Sequence, residues 1–145
     1  MTLARQIMNV SVAASALVWA VAVGAIDAQA PARTVNDGVY SSGQASRGEA
    51  LFQSICTTCH APDRFTGKEF LSGWTGKPLS ELFKVIQTMP EDNPGSLNAQ
   101  QYADVMAYFL QLNKFPTGSD ELKGDADFLA KIGVEPPKPG MERLR

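Results

Sequence analysis

The chain is poor in the residues that make metal and catalytic sites: of its 145 residues, one is histidine, His60, and two are cysteine, Cys56 and Cys59. A tetrahedral zinc site needs four ligands, so carboxylates would have to complete any site begun by these three. A distal acid–base pair cannot be named either, because the single histidine stands beside the cysteines. Basic blocks are missing too: 13 Lys and Arg balance 15 Asp and Glu. The stretch from Lys114 to Arg145 mixes six basic with six acidic residues, which gives nucleic-acid binding no electrostatic support. Alternating strand patterns do not recur.

Only one stretch lacks charge for long. Between Val10 and Ile26 no charged residue occurs, Arg5 is the only charge before it, and Ala25, Ala28 and Ala30 follow as small residues suited to cleavage. Residues 1–30 therefore read as a signal peptide or an uncleaved N-terminal anchor. The run is short for a spanning helix and is interrupted by Ser11 and Ser15. In either case the remainder is expected to be extracytoplasmic, in the periplasm, and membrane-associated only if the segment is retained. Loss of Arg5 and Asp27 removes one charge of each sign, so the net charge of −2 is unchanged.

All three scarce residues fall in Cys56-Thr57-Thr58-Cys59-His60. Cys-x-x-Cys-His is the attachment pattern of a c-type haem: two thiols bond the macrocycle and the adjacent imidazole ligates the iron. A thioredoxin-like dithiol, half of a zinc site and a structural disulfide are the competing readings. A dithiol of that kind should follow a buried strand, whereas the residues before Cys56 read as helix.

Helix signals recur along the rest. Ser41 and Gln44 are spaced as a capping box ahead of Ala45, Gly48, Leu51, Phe52 and Ile55, so a first helix delivers Cys56 to its site. Thr66 and Glu69 form a second such pair, before a short helix that Gly73 should end. A third helix begins near Pro78, at a first-turn position, and carries Leu79, Leu82, Phe83 and Ile86. The last is introduced by Asn98 and Gln101, with Leu97 and Tyr102 as a hydrophobic staple. It carries Tyr102, Val105, Met106, Phe109 and Leu110 and stops before Pro116. Residues 89–95 are a turn-rich loop. From Phe115 onward the chain is expected to wrap the body as loop, with one apolar element from Phe128 to Ile132 and a loosely ordered end at Pro136, Pro137 and Pro139.

This order resembles the class I cytochromes c. In that family a glycine stands eight residues before the first cysteine and an aromatic four before it, here Gly48 and Phe52. The resemblance implies that Gly48 lets the last helix approach closely and that Tyr108 or Phe109 packs on Phe52. More narrowly, Gly48-Glu49-Ala50-Leu51-Phe52, Thr88-Met89-Pro90 with Pro94-Gly95-Ser96-Leu97, and residues 102–108 are similar to the small bacterial monohaem cytochromes found alone or fused to quinoprotein dehydrogenases. The likeness covers about Val35 to Phe128. It implies an all-α fold with about four helices around one covalently bound haem c. The cytochrome domain would span residues 31–145, with a core at about 40–115 and a C-terminal extension at 116–145.

A sixth iron ligand comes from the same comparison. Met1 and Met8 fall in the leader, Met106 on the last helix and Met141 in the tail, while Met89 lies on a loop 29 residues after His60. Its Thr-Met-Pro context makes Met89 the expected axial partner of His60 and Met106 a core residue. With both axial positions filled, the expected role is a one-electron carrier rather than an enzyme. Its partners would be a redox donor and acceptor: a quinoprotein dehydrogenase on one side, and a terminal oxidase or another cytochrome on the other. The alternatives are a haem subunit of a dehydrogenase complex and a gas-binding or catalytic haem protein. Many relatives carry a glycine after the ligand histidine and a Pro-x-Leu segment, and a proline carbonyl that accepts from the imidazole; here Ala61-Pro62 and a shortened connection stand instead. Trp74 and Arg64 are weaker candidates for contacts to haem propionates.

Overall fold

The computed structural model describes residues 33–139. The segment expected to be a signal peptide or anchor, with Ala25, Ala28 and Ala30, and Met1, Met8 and Met141 lie outside the described residues. Among those described, no helix is long and apolar enough to cross a membrane.

Among the described residues the fold is all-α apart from two short strands. Helix α1, Ser42–Leu51, runs directly into one π-helical turn at Phe52–Cys56, in which the Thr57 N–H donates to the Phe52 carbonyl at 3.1 Å. Ser41 caps α1 by accepting from the Gln44 N–H at 3.0 Å. The Gln44 side chain does not return to the cap as a capping box requires. It is fully buried, donates to Asp104 Oδ1 and to the Leu122 carbonyl, and accepts from the Leu122 N–H. A buried amide that satisfies both its ends in this way gains more than an exposed cap contact would.

Helix α2, Gly67–Trp74, departs from expectation at both ends. The Thr66 hydroxyl donates to the Asp63 carbonyl instead of capping, and the Gly67 N–H is taken by Asn113 Oδ1 at 2.9 Å. Gly73 stays within the helix, which ends at Trp74 before Gly76 in the left-handed region at φ 82°. In α3, Leu79–Ile86, the flanking residue Pro78 takes the cap position, and Leu79, Leu82, Phe83 and Ile86 are all buried.

Helix α4, Ala99–Leu112, has the complete capping box: Asn98 accepts from the Gln101 N–H at 3.0 Å and Gln101 accepts from the Asn98 N–H at 2.9 Å. Every residue from Tyr102 to Leu110 is buried, so the helix runs through the centre of the protein rather than along one side. It ends with Lys114 in the left-handed region, the Phe115 N–H donating back to Leu110 and the Lys114 N–H to Gln111.

The principal packing is α1 on α4. Gly48 makes it close: a Cβ there would overlap the Asp104 carbonyl. One turn on, Phe52 is fully buried, 5.5 Å from the Tyr108 ring and 5.8 Å from Phe109, so both expected aromatic partners are used.

The C-terminal extension wraps this pair, burying Leu122, Leu129, Ile132 and Val134. It carries α5, Ala126–Leu129, and a strand, Ile132–Gly133 (β2), that pairs in parallel with Arg33–Thr34 (β1). Two-residue strands leave no alternation to detect in the sequence. The proline-rich end is held where loose order was expected: Asn36, buried, donates to the Pro136 carbonyl at 3.0 Å and accepts from the Lys138 N–H at 3.3 Å.

Candidate haem-binding site

The π-turn widens the end of the first helix where it meets the motif, a distortion common at functional sites. The chain then folds back on the Cys56 carbonyl, which accepts from the Cys59 N–H at 3.1 Å and from the His60 N–H at 2.9 Å. Both sulfurs and the imidazole are thereby brought to one cavity of about 640 Å³. Met89 lines the same cavity, together with the apolar residues Ile55, Ile86, Leu97, Tyr102 and Val105 and the acidic residues Glu91 and Asp92. Met106 is fully buried in the core and is not among the lining residues.

Tyr102 and Ile86 set the position of the methionine. Its N–H donates to the Ile86 carbonyl at 3.0 Å, and its carbonyl accepts from the Tyr102 hydroxyl at 2.8 Å. The hydroxyl of Tyr102 is the signal that a reading of α4 as an apolar stripe passes over, because a buried phenol seeks a polar partner.

His60 is oriented by an aromatic edge. Its ring meets Phe65 at 5.6 Å and 81°, and Phe65 stacks on Phe109 at 4.4 Å and 8°. Its buried Nδ1 has no hydrogen-bond partner among the described residues, so the Pro62 carbonyl does not accept from it. Pro62 opens a 3-10 turn, Pro62–Phe65, in which carbonyls point along the axis to the N–H three residues on. Trp74 and Arg64 do not line the cavity: Trp74 packs 6.4 Å from Phe70 with the Lys77 ammonium 5.4 Å from its ring, and Arg64 is exposed.

The residues present fit a haem. Two cysteines, a histidine and a methionine line one cavity that also has Ile55, Ile86, Leu97 and Val105 in its wall, which is the donor set a covalent haem c would use. The volume lies in the range of small-molecule and cofactor sites. Burial pushes the Cys56 thiol up, whereas an exchange-active dithiol is held low, most often at a helix N-terminus. Cys56 instead ends a helix. Zinc has no support, since among the described residues no group of three or more His, Cys, Asp or Glu side chains is arranged to hold a metal ion.

Comparison with known families bears on the kind of domain that carries these residues. Residues 43–109 match the family model described as cytochrome C oxidase, cbb3-type, subunit III. No curated protein matches the chain, and no solved structure does. The matched span contains Cys56, Cys59, His60 and Met89 together with α1, α2, α3 and most of α4. The chain thus carries a c-type cytochrome domain, and it fits the small class I kind.

Proposed function

We propose that the protein is an extracytoplasmic one-electron carrier with a single covalent haem c, receiving electrons from a quinoprotein dehydrogenase and passing them to a terminal oxidase or another cytochrome. The observation that carries this reading is the convergence of Cys56, Cys59, His60 and Met89 on one cavity. When bound, haem c supplies a ferric/ferrous couple. Cys56 and Cys59 would hold it through thioethers, and His60 and Met89 would ligate the iron, leaving no position for a substrate. Ile55, Ile86, Leu97 and Val105 line the cavity and would shield the bound group from water. In each cycle the carrier takes one electron from a reduced donor and releases one to an oxidised acceptor, and no bond is made or broken in the protein. A neutral thioether at Met89 favours the ferrous state relative to a second imidazole, which raises the potential.

A pyridine haemochrome spectrum combined with redox titration of the holoprotein tests this reading. One haem c per chain and a low-spin, one-electron couple are expected; a second haem or an open-site, high-spin spectrum overturns it. The partner is tested by stopped-flow reduction with an extracytoplasmic quinoprotein dehydrogenase. The near balance of charge predicts only modest salt dependence.

The description of the matched family names an oxidase subunit. This favours a second reading, in which the domain is a fixed subunit of a redox complex and performs the same electron transfer. Size-exclusion of the native extract separates the two: a free carrier elutes near its own 15.6 kDa or less, a subunit with its complex.

A further inference from the structure

We infer that the Tyr102 hydroxyl is the positioning group that keeps Met89 on the iron. The inference rests on the axial ligation proposed above and adds to it the residue that controls how firmly the sixth ligand is held.

Met89 is fixed through its backbone at two points that belong to different helices. Its N–H is tied to Ile86 at the end of α3, and its carbonyl to the phenol of Tyr102 in the first turns of α4. The phenol cannot wander, because Tyr102 is 2% exposed and its own N–H is bonded to the Asn98 carbonyl inside a complete capping box. The loop beyond, residues 90–98, has only turn and bend geometry and mostly exposed side chains. The Tyr102 bond therefore links the ligand-bearing residue to α4, the helix buried from Tyr102 to Leu110. Tyr102 also lines the cavity, so the ring that borders the cofactor site carries the hydroxyl that steadies the ligand.

Loss of that hydroxyl leaves the Met89 carbonyl without its partner and frees the loop on one side. The thioether would then dissociate from the iron more readily, and an external ligand would compete better. One net hydrogen bond corresponds to about a three- to tenfold change in such a competition.

The test uses ferric holoprotein and imidazole as the competing ligand. Tyr102→Phe keeps the buried ring and removes only the hydroxyl. Tyr40→Phe is the control, because the fully buried Tyr40 makes the same kind of bond, to the Phe115 carbonyl at 2.8 Å, and does not line the cavity. Imidazole affinity should rise about three- to tenfold in Tyr102→Phe and stay unchanged in Tyr40→Phe. If Tyr102→Phe binds imidazole as the parent does, or if both variants gain equally, the positioning role is overturned. The near-infrared sulfur-to-iron charge-transfer band of the parent is recorded alongside. Its absence overturns the Met89 ligation and this inference with it, whereas a present band with unchanged affinities overturns the inference alone.

Discussion

Arg47 on α1 reaches across to Asp104 on α4, its Nε donating to Oδ2 at 3.1 Å and its Nη2 to Oδ1 at 3.3 Å. The Asp104 side chain is 7% exposed and also accepts from Gln44 at 3.0 Å and Gln100 at 3.1 Å. One buried carboxylate thus binds α1 to α4, and Gln44 and Gln100 continue the network to the Leu122 carbonyl of the extension.

Replacing Asp104 with Ala leaves the Gln44, Gln100 and Arg47 donors without this partner. The loss should be about 2–3 kcal/mol, below that of a fully buried pair because Arg47 is half-exposed and can turn to water. Urea unfolding of the holoprotein measures it, and a loss under about 0.5 kcal/mol would show that the network is not cooperative.

Gly48→Ala should cost about 1–3 kcal/mol or more, because the added methyl meets the backbone of Asp104 and α1 must move off α4. Gly43→Ala, five residues earlier in the same helix and exposed, meets only the Ser41 hydroxyl at van der Waals distance. That substitution should stabilise by about 0.5–1 kcal/mol through helix propensity. Equal effects at both positions, read from denaturant midpoints, would contradict the close-approach role of Gly48.

The Arg47 and Ser41 hydrogen bonds hold the Glu121 carboxyl below its ordinary value of 4.5. A carboxylate with a depressed folded-state pKa contributes stability above its unfolded value and loses it as pH falls through the folded one. The parent should therefore be more stable than Glu121→Gln at neutral pH, and the gap should close as pH drops below 4.5. Thermal unfolding from pH 7 to pH 3 checks the sign; because Glu121 is exposed, the gap itself should be small.

Covalent attachment requires both sulfurs, so Cys56→Ala or Cys59→Ala should weaken retention of haem on a denaturing gel, and the double variant should abolish it. His60→Ala should lose the low-spin spectrum. Full covalent haem in the double variant would refute the attachment role of the motif.

Met89→Ala should remove the near-infrared charge-transfer band and admit carbon monoxide to the ferrous protein. Met106→Leu, a near-isosteric change in the core, should keep the band and cost less than about 1.5 kcal/mol. A band that survives Met89→Ala and disappears in Met106→Leu would reverse the assignment.

What the sequence by itself determined lies within a few residues along the chain. The Asn98–Gln101 box and the Ser41 cap are local contacts, and so is the turn that gathers Cys56, Cys59 and His60 on one carbonyl. The sequence likewise assigned Gly48 and Phe52 their helix-packing roles through the family pattern, and assigned Met106 to the core. Tertiary structure decided the contacts for which a polar group had a choice. Gln44 left its cap for Asp104 and Leu122; Thr66 lost its place to Asn113 from the end of α4. The extension closed on the body through a strand pair two residues long and through Asn36. The bond from Tyr102 to Met89 is of the same kind, joining a helix to a loop 13 residues earlier. Local spacing specifies a helix start because donor and acceptor are neighbours at any stage of folding. A buried amide, hydroxyl or carboxylate takes whichever partner the packed chain presents, because leaving it unpaired costs more than any local preference returns.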